Sequence, residues 1–140
     1  MTLPDLQTVE FPISPSPDAQ PFWDGVERGQ LVIPRCIRCD TPFWYPRNLC
    51  PTCGSRDIEW NPHHGSGTVH AFCIHHHTSL PHLREFVPFV TALVDLGDGI
   101  RMMGLLDIEP DPTAARCDIA VHATFRRCAG FQQIPVFVPS

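Results

Sequence analysis

The sequence predicts a mostly β protein in which a short helix and a cysteine-bearing run of strands precede a small five-stranded barrel. Three observations lead to this fold class. The 140 residues include 16 prolines, which disfavour long helices and favour short strands and turns. Two Cys-x-x-Cys pairs alternate with short apolar runs. Beyond Gly65, five further apolar stretches are broken by Gly and Pro, as in a small barrel.

An extended arm and a short helix are expected at the N-terminus. Residues 1–17 show no apolar period and contain four prolines, which are Pro4, Pro12, Pro15 and Pro17. Ser16-Pro17-Asp18 then predicts a helix start, with Ser at the cap and Pro at the first position. Phe22 and Val26 are spaced to share one helix face, and Gly29 predicts the end of the helix.

Apolar stretches place the strands and divide the chain. Three strands are expected around the cysteine pairs, at residues 31–33, 43–45 and 58–60. Five barrel strands are expected at residues 68–76, 89–96, 100–108, 118–126 and 134–138. Gly97-Asp98-Gly99 predicts a hairpin between two of them. The expected division is an arm (1–17), a helix plus cysteine ribbon (18–62) and a barrel (63–140).

Four of the seven cysteines have the spacing of a metal site, and these are Cys36, Cys39, Cys50 and Cys53. Each pair can form a tight turn whose backbone amides point at the thiolates, and two such turns face to face complete a tetrahedral cage. Gly54 supplies a positive φ after the second pair, and Asp40 holds the matching place after the first. A closed four-thiolate site favours structural zinc, with iron in an electron carrier as the alternative.

Other chemistry-bearing residues are scattered. The run His75-His76-His77 could form a second metal site, the rim of a ligand groove or plain surface. Cys73 could act as a nucleophile, although a small buried strand residue is the favoured interpretation. No catalytic elbow, phosphate-binding loop or dinucleotide fingerprint is present in the sequence, so no catalytic residue is assigned.

The charge of the chain is acidic, with a net value of −5 and no lysine. This charge disfavours nucleic-acid binding, and the absence of lysine excludes Schiff-base chemistry. Four arginines near the barrel strands could receive the phosphates of an anionic cofactor or lie solvated on the surface, and these are Arg84, Arg101, Arg126 and Arg127. No apolar run has the length of a membrane span, and a cytoplasmic protein without a membrane partner is expected.

Five sequence segments together resemble a known family. They are FWDGVERG at residues 22–29, LVIPRC at 31–36, CPTCGS at 50–55, GSGTV at 65–69 and PFVTALV at 88–94. They resemble the small proteins in which a rubredoxin-like zinc ribbon is joined to an OB-fold barrel. Members of that family are associated with acyl-CoA enzymes.

The resemblance implies an accessory subunit. Relatives look like partners of thiolase-like or lipid-transfer-protein-like enzymes, or of hot-dog-fold hydratases, and some help to bind or channel acyl-CoA. CoA or acyl-CoA is therefore an expected ligand, and the catalytic residues are expected in the partner. Phe43, Trp44 and Tyr45 are candidate interface anchors on the ribbon, or else pack against its own strands.

The sequence is also compatible with two functions of other classes. OB barrels and zinc ribbons also bind single-stranded nucleic acid, although the charge of −5 argues against that use. Iron at the four cysteines would make a rubredoxin-like electron carrier instead. Metal analysis of the purified protein would separate zinc from iron.

Overall fold

A computed structural model describes residues 3, 5–11, 14–129 and 133–140. Within these residues the chain forms one α-helix and eight strands. Their bounds are α1 Gln20–Glu27, β1 Leu31–Cys36, β2 Thr41–Pro42, β3 Ile58–His63, β4 Ser66–His75, β5 Phe89–Gly97, β6 Ile100–Leu106, β7 Ala120–Arg127 and β8 Gln133–Pro139. Three short 3-10 turns lie at Leu6–Thr8, Pro17–Ala19 and Pro81–Phe86.

The last five strands close into a barrel in the order β4-β5-β6-β8-β7. β6 and β8 pair in parallel, whereas the other neighbours, including the closing pair β4 and β7, are antiparallel. This strand order is that of an OB-fold, and it confirms the predicted fold class. Gly97, Asp98 and Gly99 all have positive φ, which confirms the predicted hairpin between β5 and β6.

The helix α1 covers the core between ribbon and barrel. Phe22 and Val26 are buried in the same apolar cluster as Leu31 of β1 and Phe137 of β8, so a single core runs through both parts. The helix ends at Glu27, and Gly29 follows with a φ of 74°, as the sequence predicts. The α-helix begins later than predicted, because residues from Pro17 to Ala19 form a 3-10 turn and the Ser16 side chain caps no backbone N–H.

The ribbon is a three-stranded sheet in the order β2-β1-β3. The predicted strand at residues 43–45 is wrong, because β2 contains only Thr41 and Pro42. Phe43 N–H still donates to the carbonyl of Pro34, at 3.1 Å, but the chain then bends away from the sheet. Prolines at 42 and 46 have no backbone N–H, which limits how far this edge can extend its ladder.

The N-terminal segment differs from the extended arm that the sequence predicts. Leu6 and Val9 are buried in a second apolar cluster with Leu83 and Cys128. A parallel bridge between Glu10 and Ala129 ties the segment to the end of β7. Burial of two apolar side chains favours this packed course over a solvated arm. Pro4 and Pro12, which contributed to the prediction, lie outside the described residues.

A histidine connects the ribbon to the barrel. His63, the last residue of β3, accepts a hydrogen bond from Gly65 N–H on Nδ1 at 2.9 Å. Its Nε2 lies 3.0 Å from the carbonyl oxygen of Leu96, which can only accept, so Nε2 carries the proton. The ring is therefore neutral in this arrangement, and burial lowers the pKa of His63 below its ordinary value of 6.5.

Acidification is expected to weaken this connection. Because the folded protein holds the pKa of His63 below 6.5, stability is fully present above that pH and falls as the pH drops from 6.5 through the lower folded-state value. When the pH is lowered from about 7.5 to about 6, the melting temperature of His63→Gln should fall by less than that of the unmodified protein. His70→Gln, at an exposed strand position, should keep the full dependence; equal slopes for all three would contradict this role of His63.

Among the described residues, no helix has the length and apolar character required to cross a membrane.

Candidate metal centre and neighbouring pockets

Four thiols meet between the two turns of the ribbon. Cys36 Sγ lies 3.6 Å from Cys53 Sγ, and Cys39 Sγ lies 3.6 Å from Cys50 Sγ. All four sulfur atoms lie within 4.8 Å of one another. A disulfide would need about 2.05 Å between sulfurs, so these are separate thiols. Four thiolates placed tetrahedrally about zinc at about 2.3 Å would be roughly 3.8 Å apart, which matches the observed spacing.

Backbone N–H donors and crowding by neighbouring thiols shift the pKa values of Cys50 and Cys53 in opposite directions. The backbone N–H groups of Cys53 and Thr52 donate to Cys50 and lower the pKa of its thiol to about 6 despite burial. The Ser55 N–H acts to lower the pKa of Cys53, but burial and three neighbouring thiols raise it to about 11. Four adjacent thiolates therefore require a cation between them, because like charges at this distance cannot all ionise unaided.

Turn geometry brings the two cysteine pairs into this position. Asp40 and Gly54, each directly after a Cys pair, have φ of 60° and 77°, which confirms the turn chemistry that the sequence predicts. Arg35 of β1 forms ion pairs with Asp40 and, at 3.3 Å, with Glu59 of β3. Two strands and one turn are thereby connected on the outside of the ribbon. With four sulfur ligands, the site leaves no position for a reactive water.

The three-histidine run lies outside the cluster of possible metal ligands that the described residues form. His75 Nε2 lies 2.8 Å from Thr91 Oγ1, and the His75 ring stacks on Phe89 at 4.7 Å. His76 and His77 are exposed. Among the described residues, no group with metal-ligand spacing includes any of the three. Cys73 is exposed on β4 rather than buried as predicted.

The four predicted phosphate-binding arginines do not form one cluster. Arg126 pairs with the buried Asp107 at 2.5 Å, and Arg127 pairs with Glu27 at 2.6 Å. Arg101 lies 3.8 Å from Asp95 on the neighbouring strand. Arg84 is exposed on the 3-10 turn Pro81–Phe86 and lines a different pocket from Arg126 and Arg127. Three of the four thus neutralise carboxylates of the chain itself.

An apolar pocket of about 430 Å³ lies where helix α1, the ribbon and the barrel meet. Its lining is mostly aromatic and aliphatic and includes Phe22, Trp23, Trp44, Tyr45, Met103, Leu105 and Ile134. Its volume lies within the range of ligand pockets, and large side chains of a partner could also fill it. Met103 occupies an outward-facing position in the alternating part of β6, and an apolar residue at such a position is the sequence signal that could have indicated the pocket.

The three predicted interface residues have different environments. Phe43 is only 6% exposed, which favours the alternative that it packs within the protein. Trp44 packs edge-on against Phe22, and its buried Nε1 has no hydrogen-bond partner among the described residues. Tyr45 is 62% exposed at the pocket, and Met103 is 61% exposed on the barrel side. Tyr45 and Met103 form the accessible apolar rim.

A four-cysteine ribbon packed on a closed five-stranded barrel defines a zinc-ribbon and OB-fold protein. Residues 23–59 match the family model of the ChsH2 rubredoxin-like zinc ribbon domain, and residues 60–126 match that of the ChsH2 C-terminal OB-fold domain. The chain belongs to the ChsH2 family.

Curated relatives include two hydratase subunits. The chain is 38% identical over 92 residues to the "Probable enoyl-CoA hydratase alpha subunit" of Thermomonospora curvata, covering 64% of this chain and 28% of the relative. It is 36% identical over 118 residues to the "3-oxo-4,17-pregnadiene-20-carboxyl-CoA hydratase alpha subunit" of Mycobacterium tuberculosis, covering 80% of this chain and 35% of the relative. The chain thus spans about a third of the length of these relatives or less.

Smaller relatives and solved structures match over most of their length. A "DUF35 domain-containing scaffold protein" of Methanothermobacter thermautotrophicus is 26% identical over 102 residues, covering 72% of this chain and 75% of the relative. A chain in a structure described as "Ltp2-ChsH2(DUF35) aldolase" superposes with a TM-score of 0.79 at 28% identity, over 91% of this chain and 98% of that one. A DUF35-family protein from Sulfolobus solfataricus shares the fold, with a TM-score of 0.61 at 14% identity, over 89% of this chain and 87% of that chain.

Proposed function

We propose that this chain is a non-catalytic accessory subunit that docks on an acyl-CoA enzyme and helps to bind or channel its acyl-CoA. The partner we favour is a thiolase-like or lipid-transfer-protein-like aldolase or acyltransferase. The observation that carries the proposal is the similarity to the chain of the Ltp2-ChsH2(DUF35) aldolase, because it extends over 98% of that chain. The hydratase relatives support a hot-dog-fold hydratase as the second candidate partner.

The metal in this proposal is structural zinc. Cys36, Cys39, Cys50 and Cys53 would hold it, and the sulfur spacing of 3.6 Å in both close pairs supports tetrahedral thiolate coordination. Zinc would replace a hydrophobic core that the three-stranded ribbon is too small to build. A ribbon made rigid in this way can present Tyr45 in a fixed place.

The docking surface in this proposal is the rim of the apolar pocket. Tyr45 of the ribbon and Met103 of β6 are both more than half exposed and line the same apolar pocket, so they belong to one patch and are not singly scattered residues. Aromatic and methionine side chains are enriched at protein interfaces, where they fill pockets on the partner. A partner that contacts both residues would span ribbon and barrel together.

Co-expression with the acyl-CoA enzymes encoded beside its gene tests the proposal. An affinity-tagged chain should retain the thiolase-like enzyme through size-exclusion chromatography as one complex, and the enzyme should show higher acyl-CoA turnover in that complex than alone. Retention of a hydratase instead would select the second candidate. A chain that elutes alone beside every such enzyme would overturn the accessory role.

Tyr45→Ala is expected to weaken the complex about tenfold or more, because truncation of a central interface aromatic commonly costs about 1.4 kcal/mol or more. Isothermal titration of the purified partner measures the dissociation constant. Leu80→Ala is the matched control, since Leu80 is 48% exposed but lies outside the pocket. Equal affinities for the two variants would place the docking surface elsewhere.

A further inference from the structure

Two features that the proposed docking surface does not use come together beyond strand β4. His76 and His77, from the three-histidine run, line a surface pocket of about 350 Å³ together with Arg84. Thr78 and Ser79 complete its polar lining. Positions 77 and 84 are seven residues apart in sequence, and the 3-10 turn Pro81–Phe86 brings them to the same pocket. The pocket therefore combines a guanidinium, two imidazoles and two hydroxyl groups.

The lining of this pocket contains a guanidinium and no carboxylate. Arg84 forms no ion pair with a carboxylate among the described residues, and no Asp or Glu lines the pocket. Two arginines in other described pockets have carboxylate partners: Arg35 pairs with Asp40, and Arg127 pairs with Glu27. Glu85 follows Arg84 in the sequence but does not line the pocket, so the lining itself presents a cationic group in a chain of net charge −5.

Both sides of the pocket are held in place by the rest of the fold. His75, directly before the pocket residues, is fixed by Thr91 and by its stacking on Phe89. On the other side, Leu83 is 6% exposed and anchors the turn that carries Arg84. Thr78 Oγ1 accepts the backbone N–H of Leu80 at 3.1 Å, which leaves its hydroxyl proton available to a ligand.

We infer that Arg84, His76, His77 and the two hydroxyl groups form a binding site for the phosphate groups of a ligand. Guanidinium offers a fork of N–H donors that matches phosphate oxygens, and imidazole and hydroxyl groups add single donors. Within the proposed function, on which this step rests, the ligand is the phosphate-bearing end of CoA. The apolar pocket and its exposed rim are not part of this site.

Titration of the full chain with three probes tests the site. CoA and inorganic phosphate should both bind and shift the NMR signals of the 76–79 loop, whereas pantetheine, which lacks the phosphates, should leave them in place. Arg84→Ala and the double variant His76→Ala with His77→Ala should each weaken CoA binding about tenfold or more. Arg116→Ala, at an exposed position outside the pocket, should bind CoA as the unmodified chain does.

The opposite results overturn the inference. CoA affinity unchanged in both variants, or an inorganic phosphate response at other residues only, would remove phosphate binding from this pocket. Failure here is separable from failure of the accessory role, because partner affinity is measured independently through Tyr45→Ala. A chain that forms the enzyme complex but does not bind phosphate would retain the docking function alone.

Discussion

Cys50→Ser is expected to abolish metal binding and to unfold the ribbon. Cys50 is 2% exposed, and its sulfur lies 3.6 Å from that of Cys39 at the centre of the cluster. A serine hydroxyl does not ionise at neutral pH. The site would therefore keep three thiolates and lack the fourth ligand, with its negative charge, that a tetrahedral ion requires. The zinc content measured by elemental analysis should fall from about one ion per chain to near zero. Proteolysis should then cut between residues 36 and 57.

Cys73→Ser and Cys117→Ser are matched controls, since both cysteines are exposed and lie outside the four-thiol cluster. Each should keep the full metal content and the protease resistance of the unmodified protein. Chelation of the unmodified protein should reproduce the effect of Cys50→Ser, and adding zinc back should reverse it. A folded, metal-free ribbon in Cys50→Ser would show that packing alone supports this part of the chain.

Arg126→Met is expected to destabilise the barrel by about 3 to 5 kcal/mol, because it leaves the Asp107 carboxylate buried without its cation. The Asp107 side chain has no exposed surface, and it lies 2.5 Å from Arg126 Nη2. It also accepts the backbone N–H of Leu3, at 2.8 Å. Differential scanning calorimetry should show a melting temperature lower by about 10 °C or more for a chain of this length.

The neighbouring arginine gives the control for this prediction. Arg127→Met removes a pair whose arginine is 54% exposed, where water screens the charges, so the melting temperature should change little. Adding Asp107→Asn to Arg126→Met should recover part of the loss, because the buried charge is then absent. Equal destabilisation by Arg126→Met and Arg127→Met would show that burial of Asp107 is not what makes the pair matter.

Features set by neighbouring residues could be predicted from the sequence. The cysteine spacing, Gly54 after the second pair and the Gly97-Asp98-Gly99 hairpin each depend on a few consecutive residues whose backbone conformation is restricted. The barrel strands are predictable for a similar reason, because each half-buried run carries its own apolar pattern. The closed barrel confirms the mostly β fold class that these local signals indicate.

Features that join distant segments could not be predicted in this way. Leu6 packs with Leu83 and Cys128, but nothing in the Pro-containing segment 1–17 marks two isolated apolar residues as core. The apolar pocket combines Trp44 and Met103, from the ribbon and from β6, and it exists only once both parts fold together. Which carboxylate each arginine pairs with, as Arg126 with Asp107 and Arg127 with Glu27, likewise depends on tertiary positions.

Native mass spectrometry of the co-expressed complex tests the central claim most directly, because it counts metal and partner in the same particle. We expect an assembly whose mass equals this chain, one zinc ion per four-cysteine cluster and an acyl-CoA enzyme of the thiolase-like or aldolase type. Assembly should be lost with Cys50→Ser and retained with Cys73→Ser. A monomeric chain without metal, or a metal-free chain that still assembles with the enzyme, would contradict the account.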